Sequence, residues 1–269
     1  MSLASCAGGV AKLNTGYCIP MVGLGTYKIT GQQAVSAAVD AALQAGYRLF
    51  DTAKYLDLVL IHYPKADACE NDDVRNPQNR MDAYMELEKL KDERKVRSVG
   101  VSNYEVKHIK EIENFGKMMP SVNQVEFHPH FTRNELREYC STEGIFFQAY
   151  SSLARNHPDL MNEAKILEIS EAHKCSPQLV LLVWALGLGV GIIPKSATPE
   201  RVIDNFKVVN LKLTEQEINE ISKLDRNKNY IRCDGWNVVN LKLTEQEINE
   251  ISKLDRNKNY IRCDGWNVN

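Results

Sequence analysis

The residue types able to do chemistry gather in a few short stretches. In IPKSATPERVIDN, residues 193–205, Lys195 and Arg201 set two cations near the start of a helix that opens with Thr198-Pro199 as N-cap and first helical residue. Cations beside unpaired helix amides suit a dianionic phosphate, whereas the bland reading is a solvated charged turn. Ser102, Asn103 and Gln124 end strand-like runs, and their short polar side chains suit hydrogen bonding to a carboxamide. Tyr150, also at a strand end, offers a ring face for stacking. Taken singly, each of these four reads as a local cap or core aromatic. His128 and His130 have a two-residue strand spacing, but no cysteine or carboxylate stands at a recognisable ligand distance, so no metal is expected. GLGVG, at 187–191, would need glycine where Ile192 stands and leads into a strand rather than a helix, so it does not read as a dinucleotide loop.

Alternating strands and helices must position these groups. Strands are expected at 21–25, 47–51, 58–61, 96–101, 121–126, 145–150 and 190–194. Helices are expected at 32–45, 81–93, 105–114, 132–143, 161–174 and 176–186, with Ser176-Pro177 opening the last. The first helix places Val35, Val39, Ala42 and Leu43 on one face and ends at Gly46. Repeated βα units argue for a parallel sheet. The stretch FDTAKYLDLVLIHYPK, at 50–65, breaks the pattern, because residues 54 to 57 cannot supply the crossover of a dozen or more residues that parallel strands need. A helix–strand–helix unit of roughly 40–50 residues is missing by this count. If 47–62 ran on or folded as a hairpin, Asp51 and His62 would fall at opposite ends of the sheet.

Composition sets the outer bounds. The 269 residues are 43% hydrophobic and 25% charged with a formal net charge of −2, an ordinary globular balance with no sign of a nucleic-acid or membrane partner. No secretory signal or membrane span is expected, and the seven unpaired-looking cysteines read as reduced thiols, so the expectation is a cytoplasmic protein acting as a monomer. Residues 208–237 recur without a change as 238–267. Each copy holds a capping box, Thr214 with Glu217 and Thr244 with Glu247, ahead of an apolar stripe, Ile218, Ile221 and Leu224 in the first. The chain therefore reads as one domain over 1–237 followed by a duplicated segment over 238–269.

Seven motifs in order resemble the aldo-keto reductase family: VGLGTY (22–27), FDTA (50–53), DLVLIHYP (57–64), VGVSN (99–103), VNQVEFHP (122–129), AYS (149–151) and IPKSATPERVIDN (193–205). The resemblance runs from about Ala11 to Asp225. It implies an α/β fold, a (β/α)8 TIM barrel left incomplete by the absent third strand and its flanking helices. It also implies reduction of small carbonyl substrates by NADPH lying across the C-terminal mouth. Lys195 and Arg201 would then hold the adenosine 2′-phosphate, with Ser196 and Thr198 donating hydrogen bonds and Asp204 and Asn205 reaching the adenine. Ser102, Asn103 and Gln124 would hold the nicotinamide, Tyr150 would stack on it, and Thr26 and Ser151 would line the cofactor. Tyr27 either lines the substrate pocket or packs the rim.

The family's catalytic set is a tyrosine acid, a lysine paired with an aspartate, and a histidine that orients the carbonyl. Asp51 matches the aspartate and His62 the histidine. Leu56 occupies the tyrosine's place, with Tyr55 one residue early, and the lysine belongs to the strand this chain lacks. Lys54 and Lys65 sit in other motifs. Three readings stay open: an impaired NADPH-dependent carbonyl reductase, a non-catalytic NADP(H)-binding or interaction protein, and a misassembled product that folds poorly.

Overall fold

A computed structural model describes residues 6–52, 57–66, 69–70 and 72–231. An antiparallel hairpin, β1 (Val10–Lys12) and β2 (Cys18–Pro20), comes first. Then follow β3 (Leu24–Gly25), α1 (Gln32–Ala45), β4 (Phe50–Asp51), β5 (Leu58–Ile61), α2 (Asn76–Asp92), β6 (Ser98–Ser102), α3 (Val106–Phe115) and β7 (Val122–Glu126). The rest is α4 (Asn134–Thr142), β8 (Phe146–Tyr150), α5 (Pro158–Met161), α6 (Ala164–Ala172), α7 (Pro177–Gly187), β9 (Gly191–Ile192), α8 (Pro199–Phe206) and α9 (Glu215–Ser222). The hairpin and α5 are additions to the sequence expectation; the seven expected strands and the six expected helices are all present.

Parallel ladders join β5, β6, β7, β8 and β9 in that order, and β3 to β4. Parallel bridges Val22–Ile192 and Gly25–Lys195 dock β3 beside β9. The approach is close enough that a Cβ on Gly25 would lie 2.7 Å from the Ile193 carbonyl oxygen, which only glycine avoids. The spatial order is therefore β4-β3-β9-β8-β7-β6-β5, with every strand pointing the same way. In a flat sheet β4 and β7 would stand about 19 Å apart, four ladder spacings. Gln124 Nε2 on β7 lies 2.9 Å from Asp51 Oδ2 on β4, so the sheet is curled into a barrel wall. Among the described residues, no ladder joins β4 to β5.

The hairpin alternative for 47–62 is thereby corrected. β4 and β5 are parallel, and Asp51 and His62 both stand at C-terminal strand ends. Residues 53–56, which link the two strands, lie outside the described residues.

The β1–β2 hairpin closes the opposite end. Leu13 and Ile19 cluster with Val122, Leu49, Leu58, Leu60 and Phe146, and Asn14 Nδ2 donates to the carbonyls of Met119 and Pro120 at 3.3 and 3.1 Å. With the N-terminal end plugged, the C-terminal end is the open mouth, where a barrel keeps its chemistry.

Around the wall, helices pack through faces of different kinds, from the alanines of α1 to the Arg80 and Glu88 that α2 buries. On α1 Ala42 is buried as expected, together with Ala38 and Ala41, while Val35 and Leu43 are exposed, which shifts the expected face. An alanine stripe at i, i+3 and i+4 lets the helix sit close to its neighbours, and that outweighs the larger side chains one turn away. Gly46 ends α1 as expected, at φ 109°, with Phe206 so near that a Cβ would lie 2.9 Å from its ring. Trp184 of α7 stacks on Phe127 at 4.9 Å between ring centroids, both fully buried. The Thr214–Glu217 capping box opens α9 as expected, with Ile221 buried beneath it. The second copy, including Thr244 and Glu247, lies outside the described residues.

Candidate functional site

The mouth is built from the last residue or two of each strand. Asp51 ends β4, and His62 is the first residue past β5. Burial raises the Asp51 carboxyl above its ordinary value, and the Gln124 hydrogen bond and the His62 imidazole oppose that rise. Burial lowers His62, with Asp51 opposing, so the imidazole is neutral at neutral pH. Among the described residues, Asp51 has no lysine or arginine partner; the amide of Gln124 stands where a cation would. Tyr55, the tyrosine candidate, lies outside the described residues.

Ser102, Asn103, Gln124 and Tyr150 come together at the mouth. Ser102 Oγ donates to the Gln124 carbonyl at 2.7 Å. Asn103, in a left-handed conformation at φ 62°, donates from Nδ2 to the His62 carbonyl at 3.0 Å and to Ser102 Oγ at 3.1 Å. Its Oδ1 accepts from the Tyr150 hydroxyl at 2.8 Å. Two of the three expected carboxamide ligands are thus already engaged with protein. Gln124 differs: Nε2 donates to Asp51 and to Gln148 Oε1, at 2.9 Å each, and Oε1 has no partner among the described residues. Beside Tyr150, the hydroxyls of Ser151 and Ser152 are buried with no hydrogen-bond partner among the described residues.

Thr26 is occupied locally, its hydroxyl donating to the Asp51 carbonyl at 2.6 Å. Tyr27 is half exposed at the rim, under the Lys28 ammonium. At the other flank, Lys195 and Arg201 are both exposed, and neither has an ion-pair partner among the described residues. Thr198 takes the N-cap position of α8 but makes no capping hydrogen bond. Ser196, buried, accepts from the Thr198 amide at 3.0 Å. Asp204 pairs with Lys207 at 2.6 Å but stays exposed, and Asn205 is buried.

Sequence reasoning missed two features. Gln148 shares the inward face of β8 with Tyr150, two residues on, and the period-2 rule could have found it. The second is a strap, residues 225–231, tied across the end of β7. Glu126 accepts from the amides of Tyr230 and Ile231 at 2.6 and 3.1 Å, and His130 Nδ1 bonds the Tyr230 hydroxyl at 2.7 Å. The two histidines have carboxylate partners that their spacing in the sequence does not show: His128 meets Glu126 at 3.0 Å and His130 meets Glu163 at 2.8 Å. Burial holds the His130 imidazole low, against the pull of Glu163. Among the described residues, no three such side chains converge as a metal site would require. No helix among the described residues is long and apolar enough to cross a membrane.

Comparison with known proteins agrees with this geometry. The profile described as "Aldo/keto reductase family" matches residues 53–226. Glyoxal reductase of Bacillus subtilis is 30% identical, over 81% of this chain and 93% of that protein. An aldo-keto reductase of Mycolicibacterium smegmatis is 32% identical, over 80% of this chain and 93% of that protein. Among solved structures, an aldo-keto reductase from a Medee basin deep-sea metagenome library superposes with a TM-score of 0.75 at 27% identity, covering 85% of this chain and 99% of that one.

Proposed function

Since the chain belongs to the aldo/keto reductase family, we propose that it is an NADPH-dependent reductase of small aldehydes and ketones whose turnover is slowed by the lack of a cation beside Asp51. The observation that carries this reading is the meeting of Asp51, His62, Gln124 and Tyr150 at one barrel mouth. Relatives named for glyoxal and methylglyoxal reduction support small carbonyl substrates.

The donor set fits the cofactor. Lys195 and Arg201 are free to hold a phosphate. Gln124 Oε1 is free to accept, and the Ser151 hydroxyl is an orphaned buried group with a bond still to make. Tyr150 lies at the same end of β8, where its ring would stack on the nicotinamide face. NADPH, when bound, supplies the hydride. His62, neutral, would donate a ring N–H to the substrate carbonyl oxygen, orienting it and drawing off electron density as negative charge develops. The proton that this oxygen finally needs falls to Tyr55. A tyrosine near pKa 10 is a poor acid at neutral pH unless a cation lowers it, and losing acid assistance slows such a reaction about 10²–10⁴-fold.

Titration of the purified chain with NADPH and NADH, followed by tyrosine and tryptophan fluorescence, tests the cofactor. Loss of NADPH absorbance with glyoxal or methylglyoxal then tests turnover. Slow, saturable turnover preferring NADPH is the expected result. Tight NADPH binding without detectable turnover would select the non-catalytic reading, which the uncharged partner of Asp51 favours. Absence of binding would overturn both.

A further inference from the structure

Gln148 lies opposite Gln124 across the β7–β8 ladder and is 3% exposed. Its carbonyl oxygen and the Asp51 carboxylate together take both protons of the Gln124 amide nitrogen, each at 2.9 Å. A carboxylate can only accept. Turning the Gln124 amide over would set its carbonyl oxygen against the Asp51 carboxylate, acceptor against acceptor, in a half-buried site where unmatched polar groups are costly. Asp51 therefore dictates which end of Gln124 faces it. Gln124 in turn dictates that Gln148 presents its carbonyl.

We infer that Asp51 is a positioning residue in this chain: with Gln148 it fixes the amide of Gln124 so that only the Oε1 acceptor is offered to a ligand at the mouth. The site then demands a hydrogen-bond donor, which the N–H of a nicotinamide carboxamide supplies and an acetyl group in its place does not. This inference rests on the proposed cofactor reading. It assigns Asp51 a task that needs no lysine. An asparagine at 51 can accept or donate, so it leaves Gln124 free to present either end.

The test compares dissociation constants for NADP⁺ and its 3-acetylpyridine analogue, with 2′,5′-ADP as the fragment common to both. The unaltered chain should prefer the carboxamide about tenfold, the size of one buried hydrogen bond. Asp51→Asn should bring that preference close to unity while 2′,5′-ADP binds as before. In that background, Gln148→Glu supplies an acceptor-only group at the other end of the chain of amides and should restore the preference. Asp51→Ser, whose hydroxyl can also donate or accept, carries the same expectation should the asparagine variant not fold. A preference unchanged by both neutral variants overturns the inference, as does failure of Gln148→Glu to restore it. Failure of the unaltered chain to bind either 2′,5′-ADP or NADP⁺ overturns the cofactor reading itself, and this inference with it.

Discussion

Replacing Asp51 with asparagine should stabilise this protein at neutral pH. Its carboxylate is held in the barrel mouth by one neutral amide, with no cation against it among the described residues. The asparagine carbonyl can keep the Gln124 bond, and little attraction to His62 is lost, because burial keeps that imidazole neutral. What disappears is the cost of desolvating a charge. For a group with one good hydrogen bond and an open mouth above it, that is about 1–2 kcal/mol. In a domain of this size the gain reads as a rise in Tm of about 2–8 °C. The pH dependence has a definite sign. Because the folded-state pKa is raised, the native chain binds this proton more tightly than the unfolded chain does. That favourable contribution is complete below about pH 3.9, the unfolded value, and is lost as pH rises through the folded value. Asparagine does not titrate, so the advantage of the variant should be absent near the acid limit and grow to a plateau towards neutrality. Thermal melts across that range provide the measurement. Had Asp51 been paired with a buried lysine, the same substitution would cost about 3–5 kcal/mol. A variant less stable than the parent at neutral pH, or an advantage equal at both ends of the range, would refute the claim that Asp51 lacks a cation.

Three further outcomes are expected. Lys195→Ala and Arg201→Ala should each weaken 2′,5′-ADP binding about 10–100-fold, increasingly at low salt, and leave NADH binding little changed, as calorimetry can show. Gly46→Ala should cost about 1–3 kcal/mol in denaturant unfolding, because its φ of 109° suits no Cβ and Phe206 blocks the space. Inserting a family-type helix–strand–helix unit after Lys54 should raise carbonyl turnover about 10²–10⁴-fold, far more than deleting 238–267 does, and equal effects would contradict the proposed cause of slow turnover.

The fold was legible where local chemistry and periodicity agreed. Strands 58–61 and 121–126 came within a residue because alternating or apolar runs are bounded by turns, and Gly46 and Thr214 marked helix ends by their caps. The β1–β2 hairpin escaped because strands of three residues carry no periodic pattern; what fixes it is contact with Val122 and Phe146, far along the chain. The face of α1 was misread because hydrophobicity favours valine and leucine over alanine, whereas close packing favours the reverse. At the site, the residue types were visible but not their partners. Thr198 sits at the cap position of α8 without a capping hydrogen bond, which the Thr-Pro pair did not reveal.

The order of the wall explains why Asp51 and Gln124 meet at all. β4 and β7 are brought near each other by the curvature of the parallel sheet, through β3, β9 and β8, and not through the side on which β5 stands. That curvature is set by docking β3 into β9, which in turn depends on Gly25 accepting the Ile193 carbonyl without a side chain between them. The meeting of Asp51 and Gln124 thus depends on β3 and β9, strands outside the irregular stretch at 50–65, although Asp51 and His62 lie within it. With no lysine beside Asp51 among the described residues, the aspartate, histidine and amide pair still meet at one rim, because the strands that carry them close from the other side. On the proposed reading, binding geometry and acid catalysis come apart in this protein: the described wall brings the polar groups of the mouth together, and among the described residues no cation stands beside Asp51.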